Sequence, residues 1–378
     1  MEILKVPQGE FHLSRYPERK KELLRAWDAA DEYLLNYFND KYSDIADKEN
    51  ILIVNDSFGA LVVALSNYTT TVWSDSLLAK EGLRQNLIGN ELSAESVKFK
   101  NSIENPEGIY GFVLIKIPKS LALLEDQLIR IKPFISATTK IIAAGMAKSI
   151  HTSTLKLFEK YIGSTKTSLA KKKARLIFSQ VDELIEHTKS PYPKQYLLEE
   201  TKYKIINHAN VFSRESLDIG TRFFLKYIPQ SDKYKKIIDL ACGNGVVGLL
   251  AAVKNPLAEI LFLDESFMAV ESARKNVAEN LTSNNKTRFE VNDCLSGIEK
   301  NSADLILNNP PFHQNNAVGD QVAWQMFRQS KDILNKNGEL WVIGNRHLGY
   351  HIKLKKIFGN CEMISSNKKF VILKSVNN

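Results

Sequence analysis

The chain has 378 residues, of which 44% are hydrophobic and 25% charged. That length suits about two domains, and that composition argues against wholesale disorder and against a disulfide scaffold. Fifty-one basic against 43 acidic residues leave a net charge of +8, which permits a polyanionic partner such as nucleic acid without requiring one. Cys242, Cys294 and Cys361 have neither an even count nor metal-ligand spacing, so a reduced compartment is expected and no metal site. Met1-Glu2-Ile3-Leu4-Lys5, followed by Glu10 and Arg15, contains no apolar signal region, and no apolar run reaches the length of a membrane span. A cytoplasmic protein is expected.

In chain order the sequence reads as one pattern written twice. Ile51 to Asn55 enters the turn Asp56-Ser57-Phe58-Gly59 and leaves through apolar Ala60 to Leu65; Lys236 to Leu240 enters Gly243-Asn244-Gly245 and leaves through Val246 to Ala252. Both are strand, turn, helix. Thr71 to Trp73 then runs into Asp75-Ser76 and a helix closing at Arg84-Gln85-Asn86, just as Ile260 to Leu263 runs into Asp264-Glu265-Ser266 and a helix closing at Arg274-Lys275-Asn276. Late in each half a further strand, Lys140 to Gly145 or Glu339 to Gly344, precedes a helix ending near Gly163 or Gly359. Such alternation predicts α/β architecture, two tandem Rossmann-like folds with mainly parallel sheets, arisen by duplication. The polar, proline-bearing stretch His187 to Pro193 separates them, giving expected domains 1–187 and 188–378.

The second half carries the chemistry. Gly243, Gly245 and Gly248 form G-x-G-x-x-G between a strand and a helix, so backbone can approach a ligand closely, and Asp264 can accept hydrogen bonds from ribose hydroxyls. Any adenosine cofactor suits that loop. Asp239 discriminates: a carboxylate at the first strand end repels a pyrophosphate but attracts the ammonium and sulfonium of S-adenosylmethionine (AdoMet). Asn292 and Asp293 follow another strand and are candidates for the adenine amino group, an ordinary Asx turn being the alternative. After the strand Asp304 to Leu307 comes Asn308-Asn309-Pro310-Pro311-Phe312. An exocyclic amine conjugated to a ring has a delocalised lone pair, so the site must grip it with acceptors. Asn309 offers its amide oxygen, Pro310 its carbonyl, and Phe312 a stacking face. Adenine, guanine or a glutamine amide would fit this turn equally, and a nonenzymatic RNA-binding factor that merely keeps the fold is the reading of another class.

Residues 200–378 resemble AdoMet-dependent guanine-N2 methyltransferases of ribosomal RNA, the RsmC/RlmG family with tandem methyltransferase-like folds. The resemblance is to the large-subunit branch, through Asn309-Pro310-Pro311-Phe312-His313-Gln314, Ala317-Val318, Asp320, Val322-Ala323-Trp324 and Asn345-Arg346-His347-Leu348. It implies that Val211-Phe212-Ser213-Arg214 and Leu217-Asp218-Ile219-Gly220-Thr221 help close the cofactor pocket, with Phe212, Asp218 and Thr221 beside the ligand. It further implies 23S ribosomal RNA as partner, no membrane, a monomer over an oligomer, and a degenerate first half that supports the second and binds RNA. There the strand corresponding to the catalytic one reads Phe112-Val113-Leu114-Ile115-Lys116 and lacks the asparagine. Candidate phosphate contacts are Arg19-Lys20-Lys21, Lys116, Lys119, Lys171 to Lys173, Arg175, Lys353, Lys355 and Lys356, although for any single cluster a solvated helix face is the favoured reading. His313 and His347 are given no role as general bases.

Overall fold

The computed structural model describes residues 2–18, 23–44, 49–282, 285–311 and 317–378. It divides into two compact units, Met1–Tyr192 and Pro193–Asn378, and the division falls inside the His187 to Pro193 stretch.

The first unit runs β1 (Glu2–Val6), β2 (Gly9–Leu13), α1 (Ala29–Tyr42), β3 (Ile51–Val54), α2 (Ala60–Ala64), β4 (Thr70–Ser74), α3 (Leu77–Gly89) and β5 (Lys98–Asn101). It continues with β6 (Phe112–Lys116), α4 (Leu121–Ile131), β7 (Lys140–Met146), α5 (Thr152–Tyr161), β8 (Thr165–Thr167) and β9 (Ala174–Gln180). The second unit runs β10 (Lys194–Leu197), β11 (Lys204–Asn207), α6 (Ile219–Leu225), β12 (Lys236–Leu240), α7 (Val246–Lys254), β13 (Glu259–Asp264), α8 (Phe267–Asn280) and β14 (Lys286–Val291). Then come β15 (Ala303–Asn308), α9 (Ala317–Ile333), β16 (Leu334–Asn345), α10 (Tyr350–Phe358), β17 (Glu362–Ser366) and β18 (Phe370–Val376).

The two seven-stranded sheets have the same topology. Their orders are β5-β4-β3-β6-β7-β9-β8 and β14-β13-β12-β15-β16-β18-β17, and in each one strand, β9 or β18, runs antiparallel to both its neighbours while all the others share one direction. Runs such as Ile51–Val54 are buried along their whole length, as a sheet covered on both faces demands. The repeat extends to local chemistry. Gly59 and Gly245 both precede their helices at φ +83° and +75°, and Ser76 and Ser266 both cap the next helix through the amides of Ala79 and Ala269.

A hairpin precedes each sheet, β1 with β2 and β10 with β11. Each is tied down by two asparagines one helical turn apart. Asn86 and Asn90 accept from the backbone of Ser14 and His12; Asn276 and Asn280 accept from Ile206 and Lys204. The amide nitrogens of Asn86 and Asn276 donate in turn to the carbonyls of Phe58 and Asn244, so one buried side chain joins hairpin, helix and loop in both units. In each sheet the order reverses beside the first strand, and the crevice at such a switch point, beyond the carboxyl ends of the strands, is where an open α/β sheet takes its ligand.

Candidate active site

The loop after β12 is shaped by its neighbours. Cys242 Sγ is buried, where desolvation holds its thiol well above the ordinary range, so it packs as a neutral group. Gly245 N donates to the Cys242 carbonyl at 2.8 Å, and Asn244 Nδ2 donates to Asn207 Oδ1 at 2.9 Å. A Cβ on Gly245 would lie 2.6 Å from Ala273 Cβ, and one on Gly248 would lie 2.3 Å from the Phe262 ring. Those glycines are needed by packing. Gly243 differs, because at φ +55° its Cβ position faces open space. Of the three glycines, it is the one whose Cβ position is open to approach.

Two carboxylates frame that opening. Asp264 Oδ2 accepts from Gly243 N at 2.9 Å and Oδ1 from Ser266 N at 3.0 Å, so it braces the loop from the end of the second strand. Asp239 is 2% exposed and accepts from Gly248 N at 2.7 Å. Burial, aided by the negative charge of Asp264, pushes its carboxyl up to about 7. No cation is paired with it among the described residues, so a positively charged ligand would supply what the site lacks. The residues thus fit AdoMet: an open glycine backbone, an acceptor at the second strand end, and a buried acid short of a counter-charge.

Asn309 follows β15, and across 88 residues its Nδ2 donates to Thr221 Oγ1 at 3.0 Å. Thr221 Oγ1 donates its own proton to Asp218 Oδ2 at 3.3 Å, and Asp218 caps α6 through Thr221 N at 2.9 Å. The chain of donors fixes the amide orientation. Asn309 Oδ1 is left buried and without a hydrogen-bond partner among the described residues. Pro310 is buried as well. Phe312, His313 and Gln314 lie outside the described residues.

Of the other expected contacts, Asp293 is buried and accepts from Gln325 Nε2 at 3.2 Å. Asn292 donates to the carbonyls of Cys294 and Ser296, so its nitrogen is occupied by the local turn. Phe212 is 69% exposed. Among the described residues no group of three metal-ligating side chains occurs, and no helix is long and apolar enough to cross a membrane.

Residues 1–183 match the family model described as RLMG N-terminal domain, and 202–374 match the one described as Methyltransferase small domain. A protein of Streptomyces coelicolor named ribosomal RNA large subunit methyltransferase G is 44% identical over 98% of this chain and 99% of its own. One of the same name from Pseudoalteromonas translucida is 48% identical over 97% and 96%. The chain belongs to the ribosomal RNA large subunit methyltransferase G family. In fold it is similar to the T. thermophilus 16S rRNA N2 methyltransferase RsmC, solved in complex with AdoMet and guanosine, at a TM-score of 0.75, 17% identity and coverage of 100% of this chain and 98% of that one.

In this methyltransferase G family member the first unit's counterpart of the site is filled by its own side chains. By sheet register Ile115 and Lys116 occupy the positions of Asn308 and Asn309, while Asp28 and Asp31 stand at the cap and third position of α1, as Asp218 and Thr221 do on α6. Lys116 Nζ lies 2.9 Å from Asp28 and 2.6 Å from Asp31. Burial opposes its charge, yet the two acids outweigh burial and hold the ammonium above its usual range. The Asp56 carboxylate, at the position of Cys242, accepts from the amides of Gly59, Ala60, Leu61 and Val62. An internal anion and an internal cation therefore close the first unit, and Lys116 is corrected from a phosphate contact to an ion-paired, 13% exposed side chain.

The remaining cationic candidates divide. Lys172 pairs with Glu32, Lys171 lies over the Tyr33 ring, Lys353 pairs with Asp320, and Lys356 lies over Trp324. Lys119, Lys173, Arg175 and Lys355 are exposed, as is His347. Arg19, Lys20 and Lys21 lie outside the described residues.

Proposed function

We propose that this chain transfers a methyl group from AdoMet to the exocyclic N2 amine of a guanine in 23S, large-subunit ribosomal RNA, with the second unit catalytic and the first supporting it and engaging RNA. The observation that carries the reading is the hydrogen-bonded series Asp218, Thr221, Asn309, which leaves Asn309 Oδ1 as an oriented, unpartnered acceptor. That oxygen and the Pro310 carbonyl would take the two hydrogens of the amine and aim its lone pair. AdoMet, when bound, supplies an electrophilic methyl carried on a sulfonium. Asp239 provides the negative charge that favours its cationic end, Gly243 the close backbone approach, and Asp264 an acceptor for ribose. Alignment of nucleophile and donor accounts for most of the acceleration such a displacement needs, and no covalent enzyme intermediate is involved. The names carried by the relatives, at high identity over nearly the full chain, point to the large subunit.

The test compares nucleoside digests of ribosomal RNA from cells with and without the gene, then with wild type or Asn309→Ala restored. N2-methylguanosine at one large-subunit position is expected to vanish, to return with wild type, and to stay absent with the variant. An unchanged digest, or loss of N6-methyladenosine instead, would reject the substrate.

A further inference from the structure

Three asparagines surround the ends of β15 and β16. Asn308 is 0% exposed with neither amide atom hydrogen-bonded, Asn309 Oδ1 is partnerless, and so is Asn345 Oδ1, on a residue only 5% exposed. An unpaired buried amide is costly, about 1–3 kcal/mol each, so three together demand a reason. Asn345 ends β16 and sits at the start of a 3-10 turn, Arg346–Leu348, yet its side chain makes no capping bond there.

Register places it. Leu307 pairs with Trp341, and side chains alternate along a strand, so Asn309 projects from the same sheet face as Trp341, Ile343 and Asn345. That face carries α6: Asn345 pairs with Phe370, whose ring would lie 3.0 Å from a Cβ on Gly220, the residue before Thr221. The duplicated unit gives an independent bearing. Met146 is the register equivalent of Asn345, and it lines a cavity of about 580 Å³ together with Asp28 and Ala29, the equivalents of Asp218 and Ile219. The position at the end of this strand therefore lies beside the N-terminus of the helix that carries the capping acid, Asp28 in the first unit and Asp218 in the second. In the unit without the catalytic asparagine, the three amide positions are Ile115, Lys116 and Met146. Of the three, Asn309 and Asn345 share the α6 face, whereas Asn308 projects from the opposite one, so the pair that can act on one ligand is Asn309 with Asn345.

We infer that Asn345 is a specificity-determining residue whose Oδ1 accepts the N1 hydrogen of the target guanine. This rests on the proposed function. Guanine presents N1–H beside its N2 amine, whereas N1 of adenine carries a lone pair that would oppose an amide oxygen. A site built around such a bond rejects a base lacking the donor far more strongly than a merely apolar wall does.

The test uses the full chain with AdoMet and large-subunit ribosomal RNA from cells lacking the gene. Asn345→Leu keeps the volume and removes the acceptor; Asn345→Asp keeps the acceptor and removes the donor. The leucine variant should lose at least about tenfold in kcat/KM for RNA while its AdoMet Kd, read by calorimetry, stays within about twofold, and the aspartate variant should recover to within about threefold of wild type. Should the leucine variant fail to fold, Asn345→Ala serves in its place. Wild-type kcat/KM in the leucine variant, a matching loss of AdoMet affinity, or an aspartate variant no better than leucine would each overturn the assignment. If wild type itself forms no N2-methylguanosine, the proposed function fails first, and the two failures are distinguishable.

Discussion

Asp239 makes AdoMet binding depend on pH in a calculable way. Its carboxyl is raised from 3.8 to about 7 in the empty site, chiefly by burial, which at about 1.4 kcal/mol per pH unit is a cost of about 4 kcal/mol for ionising it there. A cationic ligand binds the ionised form and brings its pKa down, so binding releases a proton. Affinity should then rise about tenfold between about pH 6 and about pH 8 and level off above, with about half a proton released near pH 7. The linkage for folding runs the other way: because the folded-state value lies above the unfolded one, stability of the empty protein falls as pH rises through the window from 3.8 to about 7. Asp239→Asn keeps an acceptor for Gly248 N but cannot ionise. Calorimetry in two buffers of different ionisation enthalpy measures the protons released, and the variant subtracts the titration of AdoMet's own amino group. The variant should bind weakly at every pH and, without ligand, should melt above wild type at alkaline pH. If wild type and variant show parallel affinity profiles, or equal proton release, Asp239 is not the counter-charge.

The relay to Asn309 predicts that Thr221→Val lowers kcat about 10- to 100-fold with little change in AdoMet Kd, while Thr221→Ser stays close to wild type; single-turnover methyl transfer reads the difference, and a wild-type rate in the valine variant would refute the relay. Gly243→Ala should cost only about 1 kcal/mol of stability but weaken AdoMet binding at least about tenfold, whereas Gly245→Ala should cost about 2–4 kcal/mol in urea unfolding, because its Cβ meets Ala273 as well as an unfavourable φ. Lys116→Met leaves Asp28 and Asp31 facing each other unpaired and should destabilise the first unit by about 3–5 kcal/mol, seen as an earlier urea transition, with AdoMet Kd unchanged.

Much of this architecture is legible in the chain because both sheets are mainly parallel. Strands buried on both faces read as apolar runs, and the turn residues that punctuate them recur in the same order twice. The hairpins β1/β2 and β10/β11 escape such a reading, since their exposed faces dilute the alternation and their anchors, Asn86 with Asn90 and Asn276 with Asn280, look like polar helix surface. The repeated i, i+4 asparagine pair was the available signal. Asn309 and Asp239 are visible by motif and charge, but the bond from Asn309 to Thr221 spans two separate elements and has no local signature. Lys116 misleads for the same reason: a lysine among exposed lysines carries no mark of the two acids that α1 brings to it.

Those acids have a consequence for the history open to the first unit. Deleting Lys116 strands two carboxylates, deleting Asp56 strands four helix amides, and neither change alone restores a vacancy shaped for a nucleoside. Either of these first steps leads through a less stable protein. The silenced copy is thereby latched, and the pair can diverge in duty without drifting back into redundancy.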